Sequence, residues 1–260
     1  MKEERAAYEE FASVYDMFME EIPYEKWLVN ITQILKKEGI DDGLVLELGC
    51  GTGRFTELMA SQGYDMIGVD SSMEMLEQAL EKKTKSGLDI LYLQQDMREF
   101  ELYGTVKAVI SVCDSVNYIL TEEDLEQVFA CVNNYLDPEG IFIFDLKTIH
   151  YFRDITGDCV LADSREEGSL IWENNWYEEE QINEYDLTLF IREASGLYRR
   201  EQELHDQRGY EVDTVRRILE QAGMEYLFTC DADTMSAVTE DSERIYVVAR
   251  EKGKKKKAER

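Results

Sequence analysis

Three glycines at alternate positions, Gly49, Gly51 and Gly53, follow a short apolar run in which Glu47 is the single polar residue. The run, Leu44–Leu48, predicts a buried strand, and the residues after Gly53 have helical spacing. A strand, a glycine turn and a helix let a backbone approach a polar ligand closely, because glycine adopts unusual dihedral angles and carries no side chain. The helix start adds unpaired N–H groups and the positive end of a dipole. These residues therefore predict a ligand-binding loop.

The loop and its flanking acid match a family motif. Residues 47–53 read Glu-Leu-Gly-Cys-Gly-Thr-Gly, which resembles the first motif of class I S-adenosylmethionine-dependent methyltransferases. An NAD-binding fingerprint would place the third glycine one residue later. The resemblance implies S-adenosylmethionine as the cofactor, with Glu47 helping to hold its methionine amino end. It implies loop contacts from Gly49, Cys50, Gly51 and Gly53. The alternative is a glycine turn that only closes a tight connection.

A second acid stands at the end of the next predicted strand. Residues 65–70 form an apolar run that ends in Asp70, 21 residues after Gly49. In a nucleotide-binding unit an acid at this place accepts both ribose hydroxyls, because a carboxylate has two acceptor oxygens. The following residues resemble the family pattern Asp-x-Ser-x-x-Met-Leu. This resemblance implies cofactor contacts from Ser71 and Met75, and Ser72 is expected to cap the helix.

Two further strand ends carry polar residues. Asp96 and Met97 follow the predicted strand at 90–94, and the resemblance implies that they read the adenine ring. The alternative for Asp96 is a plain turn residue. The strand at 106–113 ends in Cys113, a further expected cofactor contact, and its loop is expected to lie beside the transferring methyl group. Open α/β sheets place their sites at such carboxyl ends of strands.

Aromatic residues near the start of the chain have helical spacing. The pattern Tyr-x-x-Phe-Ala-x-x-Tyr-Asp begins at Tyr8 and includes Tyr15. It resembles the opening of many small bacterial methyltransferases, in which this segment folds over the cofactor. The resemblance implies that Tyr8 and Tyr15 contact the cofactor. The alternative is an amphipathic helix that only packs against the body of the protein.

Methyl transfer to nitrogen needs a free lone pair, so a general base helps when the acceptor is protonated. The candidates are Asp114 and Tyr118, in the loop after the fourth strand, and His205, in a later predicted strand. Asp114 could instead cap the following turn, and His205 could be an ordinary surface residue. The motifs do not distinguish methylation of nitrogen, oxygen or carbon. The resemblance to amino-sugar N,N-dimethyltransferases favours nitrogen on a small molecule.

Strands alternating with helices predict an α/β, Rossmann-like, doubly wound sheet of seven mostly parallel strands. Residues 150–205 lose the helical period, and stretches at 169–177, 182–192 and 197–204 predict three antiparallel strands. We expect these strands to form a lid over the carboxyl edge of the sheet; a homodimer interface is the alternative. The predicted domain therefore spans residues 1–250, with a basic, disordered tail at 251–260.

Composition limits the classes of function. Five scattered cysteines and two histidines predict a reducing compartment and no metal site. We expect a cytoplasmic protein, since no long apolar run or signal peptide is visible. The net charge is −28, and the tail carries six Lys or Arg residues against two Glu, which leaves −32 for residues 1–250. This charge disfavours a nucleic-acid substrate and favours a small neutral or cationic one.

Two other functions stay open from the sequence. The chain could bind the cofactor as a regulatory protein without turnover. It could also methylate RNA, with Lys254–Lys257 as a docking arm. The Asn/Asp-Pro-Pro-aromatic signature of base N-methylation is absent, and Asp114-Ser115-Val116-Asn117 stands at that place.

Overall fold

The computed structural model describes Tyr8 and residues 11–254. Its strands are β1 (Gly43–Leu48), β2 (Tyr64–Asp70), β3 (Ile90–Gln94), β4 (Val106–Ser111), β5 (Leu136–Lys147), β6 (Val160–Ser164), β7 (Gly168–Tyr177), β8 (Ile182–Arg192), β9 (Tyr198–Arg208), β10 (Met224–Asp231) and β11 (Arg244–Glu251). Its α-helices are α1 (Tyr15–Phe18), α2 (Tyr24–Lys37), α3 (Arg54–Ser61), α4 (Met73–Ser86), α5 (Glu122–Tyr135) and α6 (Val212–Gln221). Phe11–Ser13 and Ser115–Tyr118 form 3₁₀ turns, and Tyr151–Thr156 forms a π-helical turn.

Seven strands form the central sheet, in the order β10-β11-β5-β4-β1-β2-β3. Strands β1 to β5 pair in parallel, and the hairpin of β10 and β11 joins β5 in antiparallel fashion. This arrangement confirms the Rossmann-like, mostly parallel sheet expected from the sequence. The strand order reverses between β1 and β4, and a ligand crevice forms at such a reversal.

Both faces of the central sheet are covered by helices. Val45 packs with α2 and α3, whereas its neighbour Leu46 packs with α5 and α6 on the other face. Because successive side chains of a strand point to opposite faces, both must be apolar when both faces are buried. Two helices begin at a capping side chain: that of Ser72 accepts a hydrogen bond from Met75 N, as predicted, and that of Thr121 accepts one from Asp124 N.

A second sheet, which we call the lid, consists of β6 to β9 in sequential antiparallel order. The three strands predicted from the sequence are present as β7, β8 and β9. The prediction was incomplete, because β6 precedes them and β9 continues to Arg208. Strand β6 lies at the edge of the lid and most of its side chains are exposed. It therefore shows none of the apolar alternation by which a half-buried strand is recognised.

The N-terminal segment, Tyr8 with residues 11–20, does not form the continuous helix that its aromatic spacing suggested. The carboxylate of Glu203, in β9, accepts hydrogen bonds from the backbone N–H groups of Tyr8 and Phe11, both at 3.0 Å. Tyr8 also has a positive φ of 67°. The aromatic residues pack instead into a small core between the lid and Met75 of α4. A contact distant in the sequence has thus overridden the local helical pattern.

The basic tail begins later than its composition suggested. Glu251 is the last residue of β11 and is 2% exposed. The ammonium of Lys254 donates to the carbonyls of Asn134 and Leu136, at 3.0 and 2.6 Å, and so closes the end of α5. Residues 251–254 are therefore part of the fold, contrary to the expected disordered tail. The remaining lysines of the run, 255–257, lie outside the described residues.

Asn117 joins the central sheet to the lid. Its amide nitrogen donates to the carbonyls of Lys147, at 3.1 Å, and Arg208, at 2.8 Å, and its amide oxygen accepts from Lys147 N at 3.0 Å. The side chain is fully buried. Asn117 lies in the loop that was expected to lie beside the transferring methyl group, but these bonds assign it to holding β5 and β9 together.

We expect Asn117→Ala to lower the free energy of unfolding by about 3 kcal/mol, since three buried hydrogen bonds are lost and two carbonyls stay unpaired. Urea denaturation at neutral pH measures the change. Asn134→Ala, on the exposed face of α5, is the matched control and should change stability by less than about 0.5 kcal/mol. Equal stabilities of the two variants would contradict the joining role.

Candidate active site

A cavity of about 480 Å³ opens at the carboxyl ends of β1, β2 and β4. Of the cofactor-binding residues predicted from the sequence, all but Gly53 line it. They are Tyr8, Tyr15, Glu47, Gly49, Cys50, Gly51, Asp70, Ser71, Met75, Asp96, Met97 and Cys113. Gly53 lies one residue before α3 and has a left-handed conformation with φ of 74°. The structure thus gathers these residues at one cavity, while their individual contacts with the cofactor stay predictions.

The glycine loop has the shape that a closely approaching ligand requires. Gly49 has φ of 67°, and a Cβ atom there would lie 2.5 Å from Oγ of Ser115. Gly51 has φ of 52°, and no atom lies within 4 Å of the place where its Cβ would be. Because Gly51 lines the cavity and carries no side chain, its backbone is open to close approach by a ligand. The loop therefore fits the expected cofactor.

Asp70 supports the glycine loop as well as facing the cavity. Its carboxylate accepts hydrogen bonds from Gly51 N at 2.7 Å and from Ser72 N at 2.9 Å. Burial raises the pKa of Asp70, although these N–H groups partly offset the effect. The carboxylate keeps acceptor capacity for a ligand hydroxyl, because it offers about four acceptor sites. The geometry is compatible with the predicted ribose contact.

Glu47 is an almost completely buried acid in the cavity wall. Its carboxylate accepts a hydrogen bond from the hydroxyl of Thr56, in α3. Burial raises the pKa of Glu47 to about 8, and this hydrogen bond only partly opposes the rise. At neutral pH most of the ligand-free protein therefore carries a protonated Glu47, and a cationic group placed beside it would favour the ionised form.

We expect the affinity for S-adenosylmethionine to rise with pH up to about 8, the pKa of Glu47 in the free protein. If the methionine ammonium lowers this pKa, binding releases a proton below pH 8, and raising the pH then favours the complex. Calorimetry at pH 6.5 in buffers of different ionisation enthalpy measures the released proton. Glu47→Gln should abolish the release while keeping an acceptor for Thr56. The same release in that variant would contradict the assignment.

The expected adenine contact, Asp96, has a partner in the structure. The guanidinium of Arg98 donates to both carboxylate oxygens of Asp96, at 3.0 to 3.1 Å from Nε and 2.5 Å from Nη2. This hydrogen bonding lowers the pKa of Asp96. Arg98 also lies 3.6 Å from a carboxylate oxygen of Asp124 across the cavity wall. An adenine amino group would have to share Asp96 with Arg98.

The N-terminal segment covers part of the first cavity. The hydroxyl of Thr52, in the glycine loop, donates to the carboxylate of Asp16 at 2.7 Å, and Lys82 forms an ion pair with the same carboxylate. The hydroxyl of Ser72 donates to the carbonyl of Tyr8 at 3.2 Å. The segment is thus tied to the loop and to the start of α4. A ligand in the cavity would be shielded from water, which strengthens its polar contacts.

A second cavity, of about 190 Å³, lies beside the first, between the central sheet and the lid. Both cavities share four wall residues: Tyr8, Tyr15, Cys113 and Tyr118. The remaining wall residues of the second cavity include Asp114, Lys147, Tyr151, Trp172, Gln207 and Arg244. A group that passes from one cavity to the other therefore passes the shared tyrosines and Cys113.

A strained turn leaves β4 at the boundary of the two cavities. Cys113 and Asp114 have φ of 63° and 55°, a region that residues with a side chain seldom adopt. Their backbone N–H groups both donate to the carboxylate of Asp145, at 3.1 and 2.8 Å. The buried acid at the end of β5 thus holds a conformation that costs about 1–3 kcal/mol per residue. This turn directs Asp114 into the wall of the second cavity.

Asp114 forms ion pairs that weaken it as the predicted general base. Its carboxylate lies 2.7 Å from the guanidinium of Arg244 and 3.5 Å from the ammonium of Lys147, and it accepts a hydrogen bond from the amide of Gln207 at 2.7 Å. Burial alone would raise the pKa of Asp114, but the charges of Lys147 and Arg244 outweigh it and hold this pKa well below its usual range. Such a carboxylate is a weak base.

A chain of buried polar side chains leads from the shared tyrosines into the lid. The hydroxyls of Tyr8 and Tyr118 lie 2.6 Å apart, and the Tyr118 hydroxyl lies 3.2 Å from Nδ1 of His205. Nε2 of His205 lies 3.0 Å from the carboxylate of Glu203. We call Tyr118, His205 and Glu203 the polar chain. Two of the three predicted catalytic residues are thus in direct contact.

Four residues of the site were not predicted from the sequence: Glu203, Gln207, Lys147 and Arg244. Glu203 and Gln207 could have been found from His205, because residues two apart in a strand point to the same face. Lys147 and Arg244 follow no local pattern; they are brought together because β5 and β11 pair with Arg244 opposite Lys147.

Comparison with known proteins places this site in a family. A family model described as a methyltransferase domain matches residues 45–140. A protein of Geobacillus sp. (strain WCH70), whose name assigns it to the methyltransferases without a substrate, is 34% identical over 244 residues, covering 94% of this chain and 99% of that one. The chain belongs to the class I S-adenosylmethionine-dependent methyltransferases. The enzyme therefore uses S-adenosylmethionine as its cofactor, as the glycine loop predicted.

Two other similarities extend the comparison for this methyltransferase. The crystal structure of an S-adenosylmethionine-dependent methyltransferase from Clostridium acetobutylicum ATCC 824 has a TM-score of 0.84 at 27% identity, covering 95% of this chain and 100% of that one. A dTDP-3-amino-3,4,6-trideoxy-alpha-D-glucopyranose N,N-dimethyltransferase of Streptomyces venezuelae is 29% identical over 136 residues, 52% of this chain and 56% of its own. Within the described part of the methyltransferase, no helix has the length and apolar character needed to cross a membrane.

Proposed function

We propose that this methyltransferase transfers a methyl group to the nitrogen of a small amine held in the second cavity. The observation that carries the proposal is the polar chain, which ends at the boundary of the two cavities. The relative from Streptomyces venezuelae, named as an amino-sugar N,N-dimethyltransferase, supports an amine acceptor.

The position of the shared tyrosines supports the division of roles between the cavities. When bound, the cofactor supplies an electrophilic methyl group on a sulfonium, and the protein has to orient the acceptor and exclude water. Tyr8 and Tyr118 line both cavities, so an acceptor nitrogen in the second cavity would lie next to their hydroxyls. The N-terminal segment and the lid cover this boundary.

The polar chain provides a path for the proton that an amine must lose before its lone pair can attack. Glu203 also accepts two backbone N–H groups, so it acts as the acceptor toward Nε2–H of His205. That tautomer leaves the lone pair on Nδ1 facing the Tyr118 hydroxyl. Burial raises the pKa of Tyr118 well above its usual value, so its hydroxyl stays protonated and relays a proton instead of acting as a phenolate.

The size of the second cavity favours a small acceptor. Its volume of about 190 Å³ is less than half that of the first cavity, about 480 Å³. A molecule with the dimensions of an amino acid fits this volume, whereas an RNA nucleotide with its neighbours would not. The proposed domain extends to residue 254, since Glu251 and Lys254 belong to the fold. Within it, the lid determines the choice of acceptor. Pairing through the exposed edge of the lid would give a homodimer.

An acceptor screen tests the proposal. Production of S-adenosylhomocysteine is measured with small primary amines, hydroxy acids, carboxylic acids without nitrogen, and bulk tRNA. We expect turnover with one or more amines, and equal turnover by a chain that ends at residue 254. Turnover with hydroxyl or carboxylate acceptors alone would refute amine methylation. Turnover with tRNA alone, lost when residues 255–260 are removed, would support the RNA alternative.

A further inference from the structure

Lys147 places a partly buried positive charge in the wall of the second cavity. It is the last residue of β5, and its ammonium lies 3.5 Å from the carboxylate of Asp114 and 4.7 Å from the ring centre of Tyr151. Its side chain is 15% exposed. Burial works against the charged form, but the charge of Asp114 outweighs it and raises the pKa of Lys147, so the residue is cationic at neutral pH.

The other charges around Lys147 have closer partners. The guanidinium of Arg244 donates to Asp145 and, at 2.7 Å, to Asp114. Asp145 also accepts two backbone N–H groups, and Asp114 also accepts from Gln207 at 2.7 Å. These three groups are therefore satisfied without Lys147.

Lys147 has hydrogen-bonding capacity to spare. An ammonium has three N–H donors, and among the described residues Lys147 has one ion pair, at a distance longer than a strong charge-assisted bond of about 2.7–2.9 Å. Because the residue also lines the cavity, a ligand there can supply acceptor oxygens to the remaining donors.

We propose that Lys147 binds an anionic oxygen group of the acceptor, a carboxylate or a phosphate, so that the substrate is an amine that also carries a negative charge. This inference rests on the proposed amine methylation and adds a second recognition point to it. Lys147 is the specificity-determining residue in this assignment. Phosphate and carboxylate share this chemistry, and the experiment below separates them.

The test compares probes that differ only in their negative group. β-Alanine, 2-aminoethyl phosphate and propylamine are titrated calorimetrically into protein saturated with S-adenosylhomocysteine. We expect one anion-bearing probe to bind at least about tenfold more tightly than propylamine, the gain of one charge-assisted hydrogen bond. The tighter of the two anionic probes identifies carboxylate or phosphate.

Variants of Lys147 decide whether the preference belongs to this residue. Lys147→Met should reduce the preference for the anionic probe over propylamine to about twofold or less. Lys147→Arg should restore most of this preference. The control Lys85→Met, at an exposed lysine of α4, should leave it unchanged. Thermal unfolding checks that the variants fold. No binding by either anionic probe, or a preference that persists in Lys147→Met, would overturn the inference.

The role of Lys147 and the proposed amine methylation can fail independently of each other. Methyl transfer to propylamine with the same efficiency as to β-alanine and 2-aminoethyl phosphate would overturn the anionic subsite and leave the proposed function standing. Binding of an anionic probe that depends on Lys147, together with transfer to oxygen instead of nitrogen, would support the subsite and refute amine methylation.

Discussion

Asp70→Ala is expected to lower the affinity for S-adenosylmethionine by about a hundredfold. The carboxylate faces the first cavity and is the predicted acceptor for two ribose hydroxyls. Each hydrogen bond to a charged group contributes about 1.5–3 kcal/mol, and water recovers part of the loss in the variant. The substitution also removes the support that Asp70 gives to Gly51 N and Ser72 N. Calorimetric titration with the cofactor measures the effect.

Two variants make this result specific. Asp65→Ala removes an exposed carboxylate from the same strand, β2, and should leave the affinity unchanged. Asp70→Asn keeps one acceptor oxygen and should fall between the wild type and Asp70→Ala. An affinity of Asp70→Ala within twofold of the wild type would show that the ribose lies elsewhere.

His205→Ala and Tyr118→Phe are each expected to lower kcat for methyl transfer to an amine by about a hundredfold at neutral pH. Both interrupt the polar chain, and general-base assistance contributes about 10²–10⁴ in rate. Cofactor affinity should change little in His205→Ala, because His205 does not line the first cavity. The defect should shrink as pH approaches the pKa of the acceptor amine, where the acceptor loses its proton without assistance. Rapid-quench assays over a range of pH measure this dependence.

The controls use the remaining histidine and an exposed tyrosine. Both His150→Ala and Tyr103→Phe should keep the wild-type rate. His150 is paired with Asp154 outside both cavities, and the ring of Tyr103 is fully exposed. A His205→Ala variant whose defect is the same at every pH would indicate that His205 only positions Tyr118. Wild-type rates in both polar-chain variants would show that the proton leaves by another route.

The cofactor-binding residues could be predicted because they lie close together in the sequence. The loop from Glu47 to Gly53 joins a strand to the helix that follows it, so the residues that must approach a ligand are neighbours in the chain. Asp70 follows on the adjacent parallel strand, and its register with β1 is set by the same apolar patterns that predicted the strands. A pattern within about 25 residues was therefore enough to place these residues at one cavity.

The acceptor side could be predicted only in part because it depends on distant contacts. Tyr118 and His205 are 87 residues apart and meet because β9 packs beside the turn after β4. Both were predicted as single candidates, but their hydrogen bond was not. The ion pairs of Asp114 come from β5 and β11, so its depressed basicity has no local signal. The broken N-terminal helix has the same origin, since Glu203 captures its N–H groups.

The most direct test follows an isotopically labelled methyl group into an unselected mixture of acceptors. The enzyme is incubated with S-adenosylmethionine that carries a heavy methyl group and with the small-molecule fraction of a bacterial extract, and products are analysed by mass spectrometry and NMR. We expect a labelled N-methyl group on a small amine that also carries a carboxylate or phosphate. One S-adenosylhomocysteine should form per methyl group, and the product should be strongly reduced in His205→Ala. Label found on oxygen or carbon, or no labelled small molecule while RNA becomes labelled, would contradict it.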